Sequence, residues 1–400
     1  MHGKKTLAYL VAAISASIVV LFLVYGYERT WHLWNIPTMS PSFADARVLT
    51  AGAESRAAGH DALVDNFKDP WGRPVNYPRI WQWLSYLGID QSDTVAVGVL
   101  FAALFFTSIF LVVDKIGHRT AWLMTCGIFS PAALLALERG NNDLVIFFLL
   151  AVAVVAVRRS TLPSLMLIGS AFVLKLYPIF AVSIFLRKHK ERLRILLLAS
   201  AAVAAAYAVL MIDELKVIRN KTPEPLELSY GIDVVWMQLG NLIPGNIVRA
   251  VSYVAVIAIG ACSVLQGGGR AFGDPDPHLD AFRLGSSIYA GTFMMGANWD
   301  YRLIFLLFTI PQLMVWTKST DAWVKRTAAL TLTGSILALW SLISYRLLEH
   351  IPLGVPAYFT IDGLAKWSVF AGLVYLFAAS CPNYLTYRPN SKLLHEKLLR

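Results

Sequence analysis

Twelve apolar runs, many of them near the length of a bilayer crossing, leave this chain few ways to fold. They lie at 6–26, 94–113, 120–137, 144–157, 161–174, 176–186, 195–212, 247–266, 282–297, 303–316, 327–345 and 359–380. A helix crosses the hydrocarbon core with about 20 apolar residues. No water is present there to satisfy backbone N–H and C=O groups, so such runs become helices. Composition agrees: 57% of residues are hydrophobic, 15% are charged, and the mean hydropathy is +0.57. An ordinary soluble domain carries about 25% charged residues. The expectation is an all-α polytopic membrane protein, one integral domain over 1–400, with about 10–12 transmembrane helices, some short or re-entrant.

The net charge of +10 then reads as topology and not as nucleic-acid binding, because short cytoplasmic loops retain Lys and Arg. The basic segments are DKIGHR (114–119), RRS (158–160), RKHKERLR (187–194), TKSTDAWVKR (317–326) and the tail from Arg388. With the N-terminus inside, alternation places all of them in the cytoplasm. MHGKK precedes the first run, which ends YGYERTW without a small-x-small cleavage pattern, so an uncleaved span is expected. The opposite side receives 27–93, 138–143, 213–246, 298–302 and 346–358. The expected location is a plasma or inner membrane, multi-pass, with both termini and the 381–400 tail cytoplasmic. Within that tail, SKLLHEKLLR is spaced for a short interfacial helix. Cys126, Cys262 and Cys381 show no paired spacing and read as small core residues.

One stretch resists simple alternation. RRS and RKHKERLR should share a side, yet only 161–186 lies between them, too short for two full crossings. Two half-helices meeting at Lys175-Leu176-Tyr177-Pro178 resolve this. Non-helical backbone at membrane depth is tolerated only inside protein or beside a wet cavity, so this corner is expected to be buried. Pro178 suits a helix restart there.

Four polar clusters fall on the expected outer side. The first outer loop, 27–93, is the one long polar segment near the N-terminus. It brings Asp45 and Arg47 near its start and Asn76-Tyr77-Pro78 near its exit. The others are Glu138-Arg139-Gly140-Asn141-Asn142-Asp143, the Lys175 corner, and Asn298-Trp299-Asp300-Tyr301-Arg302. Each has a plain structural reading: ion pairs closing tight turns, a helix cap at Asp45, Lys175 snorkelling to headgroups, and Trp and Tyr in the interfacial belt. What favours function is that all four share a side by a count that did not use them. Asp274-Pro275-Asp276 is similar to the metal-binding pair of nucleotide-sugar transferases. No alternating strand and helix pattern surrounds it, so a solvated turn is expected.

The ordered set FADAR, YPRIW, LERGNND, LKLYPIF and GANWDYRLIFL resembles glycosyltransferase family 87, of the GT-C superfamily, over roughly residues 40 to 305. The last third matches little beyond span count, and the HIP at His350–Pro352 is a candidate outer-loop site element. The resemblance implies a GT-C-type bundle and an inverting, mannosyltransferase-like transfer of a hexose or pentose. The donor would be a polyprenyl-phosphate sugar in the bilayer, and the acceptor an envelope glycolipid or polysaccharide on the outer face. It implies Asp45 as general base, with Lys175, Arg139 and Arg302 stabilising the leaving phosphate. Glu138, Asn141, Asn142, Asn298 and Asp300 would orient those cations or bind sugar hydroxyls. Arg47, Asn76, Tyr77 and Tyr301 complete the substrate-binding set, and Tyr77 and Trp81 could stack on sugar or prenyl chain. No metal and no cofactor are required. The alternative is a transporter or flippase for a lipid-linked saccharide, which the span count and the broken pair suit equally well. A structural subunit of an envelope-synthesis complex is a third possibility.

Overall fold

A computed structural model describes residues 2–223, 225, 227–239, 243–270, 278–382 and 385. Helix α1 (His2–Tyr25) shows how the apolar runs are used. Its buried residues, Gly3, Leu7, Val11 and Ile18, form one stripe at helical spacing. Most of the remaining surface faces outward, as lipid permits. Gly3 sits so close to the Ile116 and Gly117 backbone that a Cβ there would overlap it.

The chain continues through α2 (Tyr27–His32) to α3 (Ala44–Ala57) and a 3-10 helix (Arg79–Leu87), then α4 (Thr94–Val112). Helices α5 (His118–Ile128) and α6 (Pro131–Arg139) are bent by 49° at their junction. Ser130 caps α6 by accepting from Ala133 N, and Pro131 opens it. Next come α7 (Asp143–Ala156), α8 (Thr161–Leu174) and a 3-10 helix (Tyr177–Arg187), followed by α9 (Lys190–Leu210) and α10 (Ile212–Lys221). Strand β1 (Ser229–Tyr230), α11 (Val234–Leu239), α12 (Gly245–Cys262), α13 (Leu279–Met294) and β2 (Asn298–Trp299) lead to a 3-10 helix (Asp300–Phe308) and α14 (Ile310–Trp316). A second bent pair, α15 (Ala322–Leu339) and α16 (Ser341–Leu348), turns by 64°, and α17 (Gly354–Ala379) follows. The two bent pairs meet at their breaks, where Trp340 Nε1 donates to the Cys126 carbonyl at 3.2 Å. Among the described residues the only strand pairing is β1 with β2, antiparallel, Ser229 opposite Trp299 and Tyr230 opposite Asn298.

The protein is therefore an all-α polytopic membrane protein. Five helices are long and apolar enough to cross a bilayer, or up to seven if each bent pair is one span. That is fewer full-length spans than the run count suggested. The difference lies in short pieces: α7 has 14 residues, about 21 Å of helix, less than the hydrocarbon thickness. The corner expected at 175–178 is present. Helix α8 stops at Leu174, Lys175 is extended, and the chain restarts as a 3-10 helix with Pro178 in its first turn. Lys175 is buried there. The helix expected within the 381–400 tail and the Asp274–Asp276 turn lie outside the described residues.

The polar segment after α1 is ordered by contacts within itself and with α4 and α10. Ser55 Oγ donates to Asn66 Oδ1 at 3.0 Å, and Thr50 and Thr94 hydroxyls meet at 2.7 Å. Arg79 bridges Asp61 at 2.7 Å and Glu214 of α10 at 3.0 Å.

Candidate active site

The placement of Asp45 begins with a glycine. Helix α6 ends at Gly140 in the left-handed conformation (φ +56°), and a Cβ there would lie 3.1 Å from Ala46 Cβ and 3.1 Å from the Phe43 ring. The absent side chain lets the first turn of α3 sit directly on the turn between α6 and α7. Residues 44–46 are Ala-Asp-Ala, so small neighbours flank Asp45 where the two segments touch.

At that contact Asn141 Nδ2 donates to Asp45 Oδ2 at 2.6 Å. The other end of the same amide, Oδ1, accepts from the Asp143 backbone N–H at 2.8 Å, which starts α7, and from Lys175 Nζ at 3.4 Å. Behind Asn141 lies Asp143, fully buried. It is ion-paired with Lys175, accepts from the Tyr177 hydroxyl at 2.6 Å, and faces Arg302 Nε at 3.4 Å. Arg302 also donates to Asn298 Oδ1, and its guanidinium lies 4.6 Å from the Tyr177 ring centre. Lys175 Nζ lies 5.1 Å from the Tyr77 ring centre. One buried carboxylate thus holds two cations, and Asn141 links that group to Asp45.

In front of Asp45 is a cavity of ≈ 290 Å³, lined by Asp45, Arg73, Asn76, Tyr77, Arg139, Lys221, Trp299 and Tyr301 among others. The Trp299 and Tyr301 rings stack at 6.2 Å on one wall. Burial, with the Asp45 charge in second place, pushes the Tyr77 phenol well above its ordinary range. It therefore stays neutral and serves as a hydrogen-bonding or stacking group. Arg139 donates to the Pro37 carbonyl at 3.0 Å and lies 3.4 Å from Glu138, while its buried Nη1 has no hydrogen-bond partner. Arg73, by contrast, is engaged by Asp69 and by the Ala44 carbonyl at 2.7 Å.

The expected site residues thus separate into groups. Asp45, Asn76, Tyr77, Arg139 and Tyr301 line the cavity, and Asn141, Lys175, Arg302 and Asn298 stand behind it. Glu138 is buried and accepts from the Met39 N–H at 3.1 Å, holding the approach to α3. Arg47 reaches the Ser42 carbonyl at 3.5 Å and is not among the lining residues. Asn142 is buried with an amide that finds no hydrogen-bond partner. Asp300 is directed elsewhere, to Lys366 at 2.9 Å. Trp81 is packed away, donating to the Leu174 carbonyl at 3.1 Å, and His350 is exposed beside Glu349. In the sequence Asp143 and Tyr177 belong to two of the polar clusters without an assigned role, and Lys221 and Lys366 belong to none of them. Asp143 and Lys366 carried a signal, since an ionisable residue in or beside an apolar run is a functional candidate.

Fold and site together define a helical membrane protein with a polar, charge-lined cavity at one end of its bundle. The sequence model of glycosyltransferase family 87 matches residues 82–223, about a third of the chain, and supports assignment to that family. The match, with the membrane-spanning helices, supports a membrane glycosyltransferase. The matched stretch contains Asn141, Asp143 and Lys175, while Asp45 lies ahead of it and Arg302 beyond it. No curated protein and no solved structure matches the chain.

Proposed function

We propose that the cavity before Asp45 transfers a glycosyl unit from a polyprenyl-phosphate donor to an acceptor hydroxyl, with inversion at the anomeric carbon. The observation that carries this reading is the pairing of two groups on one cavity: a carboxylate held by Asn141 at 2.6 Å, and Arg139 with an unpartnered Nη1. The acceptor O–H gives its proton to Asp45 as its oxygen attacks C1. The bond from C1 to the phosphate oxygen breaks on the opposite face, and the lipid phosphate leaves with the electron pair. Arg139 grips that anion, and the Lys175–Asp143–Arg302 group contributes positive potential from behind. Tyr77, Trp299 and Tyr301 offer ring faces to the sugar. The scheme uses no metal.

The site end is read as the outer face. Helix α8 runs from the basic Arg158-Arg159 turn to Lys175, and α1 runs from Lys4-Lys5 towards Tyr27, whose hydroxyl donates to the Glu138 carbonyl at 3.0 Å. The basic ends of both helices are therefore opposite the site, which supports a cytoplasmic N-terminus in a plasma or inner membrane. The sugar is read as a hexose or pentose, mannosyl-like, and the acceptor as an envelope glycolipid or polysaccharide.

The test supplies purified protein in lipid vesicles with a panel of labelled polyprenyl-phosphate sugars and an envelope-lipid extract. The anomeric configuration of the product is then read by NMR. Transfer with inversion is expected. A retained configuration, or transfer only from nucleotide sugars, would remove the proposed chemistry. Movement of labelled lipid between leaflets without transfer would favour a flippase.

A further inference from the structure

A second ion cluster lies off the cavity, and its contacts lead back to the wall that carries Tyr301 and Arg302. An ammonium group has three donors. Lys366 of α17 directs them to the Ser229 carbonyl in β1 at 2.9 Å, the Asp300 carboxylate at 2.9 Å, and the Asp362 carboxylate one turn earlier at 2.7 Å. Asp300 also accepts from Ser341 Oγ at 3.2 Å, at the break between α15 and α16, and its backbone N–H donates to the Leu228 carbonyl at 2.7 Å. Lys366 is 2% exposed and Asp300 0%. One lysine therefore joins β1, the end of β2, α17 and, through Asp300, the second bent pair.

We propose that Lys366 is a positioning residue for the transfer site, holding the β1–β2 junction so that Tyr301 and Arg302 keep their places beside Asp45. This rests on reading the Asp45 cavity as the site of transfer. A ladder of two residues on each strand cannot fix its own register, because so short a pairing is not stable alone. Asp300 directly follows β2 and begins the 3-10 helix on which Tyr301 and Arg302 are the next two residues. A shift there moves the stacked wall of the cavity and the Asp143 partner together.

Stability alone does not account for the cluster. A buried ion pair is often no better for stability than apolar residues of the same volume, and its attested use is to fix one arrangement among several. Asp300 serves here through Lys366 and Ser341, not by touching sugar. That also explains why it points away from the cavity although it sits two residues from Arg302.

The test uses full-length protein in lipid vesicles and compares wild type with Lys366→Met and Asp300→Asn. Two quantities are read: amide hydrogen exchange by mass spectrometry, and kcat and KM for the labelled donor. In Lys366→Met, exchange across 228–232 and 298–302 should quicken at least about tenfold while α4 keeps its protection. A misplacement of about 1 Å can cost a site roughly 100-fold, so kcat should fall on that scale, with KM for donor changed less than about threefold. Asp300→Asn keeps shape and an acceptor oxygen, so it should show the same changes to a smaller extent. It carries the test if Lys366→Met does not fold. Unchanged exchange at both segments would overturn the proposal whatever the transfer rate, as would a loss of kcat that merely follows the loss of folded protein. If wild type transfers no sugar from any donor, the reading of the cavity fails, and the exchange measurement still decides whether Lys366 holds the junction.

Discussion

The two buried ion clusters are built with opposite surpluses. Around Asp143, one carboxylate serves two cations, Lys175 and Arg302. Around Lys366, one cation serves two carboxylates, Asp300 and Asp362. With every group ionised, the first carries an extra positive charge and the second an extra negative one. The first opens through Asn141 to Asp45 and the cavity, where an anionic leaving group would be welcome. The second is closed off among β1, α16 and α17, where Asp362 keeps one buried oxygen without a hydrogen-bond partner. On the proposed reading, the same side-chain types serve an electrostatic site in one place and a fixed junction in the other. What separates them is which charge is in the minority and whether a cavity adjoins it.

Removing a minority charge should be far worse than removing a majority one. Asp143→Ala leaves the buried Lys175 and the half-buried Arg302 without their carboxylate and should destabilise the protein by about 3–5 kcal/mol, read as a lowered Tm in detergent. Asp362→Asn leaves Lys366 paired with Asp300, so its cost should stay below about 1.5 kcal/mol. Equal costs for these two variants would break the comparison. Arg139→Gln removes a cation from the cavity without touching either cluster. It should lower transfer by roughly 10–100-fold, the scale of one charged hydrogen bond, and lower Tm less than Asp143→Ala does, because the new amide can still donate near Glu138. Gly140→Ala puts a Cβ on a left-handed residue 3.1 Å from Ala46. It should cost about 1–2 kcal/mol and lower transfer as the Asp45–Asn141 contact loosens.

The smallest effect expected is at the surface of the first loop. The Lys68 ammonium, 2.9 Å away, holds the Glu54 carboxyl below its usual range. A depressed carboxyl stabilises the fold at pH values above its unfolded pKa, about 4.3, and that contribution is lost as pH falls through the folded value. An exposed pair of this kind contributes below about 1 kcal/mol. Melts of wild type and Glu54→Gln should differ slightly at pH 7 and converge at acid pH.

Much of the architecture was readable from the chain. The run at 161–174 became α8 with the same limits, and the KLYP corner followed from counting residues between two basic loops. Co-location was readable only as a shared side: nothing local in the sequence pairs Asp45 with Asn141, 96 positions away. Asp300 and Arg302 looked like partners in one motif. On a 3-10 helix successive side chains turn by about 120°, so residues two apart face different ways, and they join different clusters. Lys366 sat in plain view, one helical turn after Asp362 inside an apolar run. Such a pair within a span is informative, although the family resemblance fades in the last third of the chain.

The proposed mechanism rests on the Asp45 carboxylate taking the acceptor proton. It is tested most directly by comparing wild type and Asp45→Asn in vesicles, measuring donor binding and sugar transfer on the same preparation. The substitution keeps shape, and Asn141 can still hydrogen-bond the new side chain. Binding should persist while transfer falls by about 10²–10⁴-fold. Transfer near the wild-type rate would contradict the account and take Asp45 out of the mechanism.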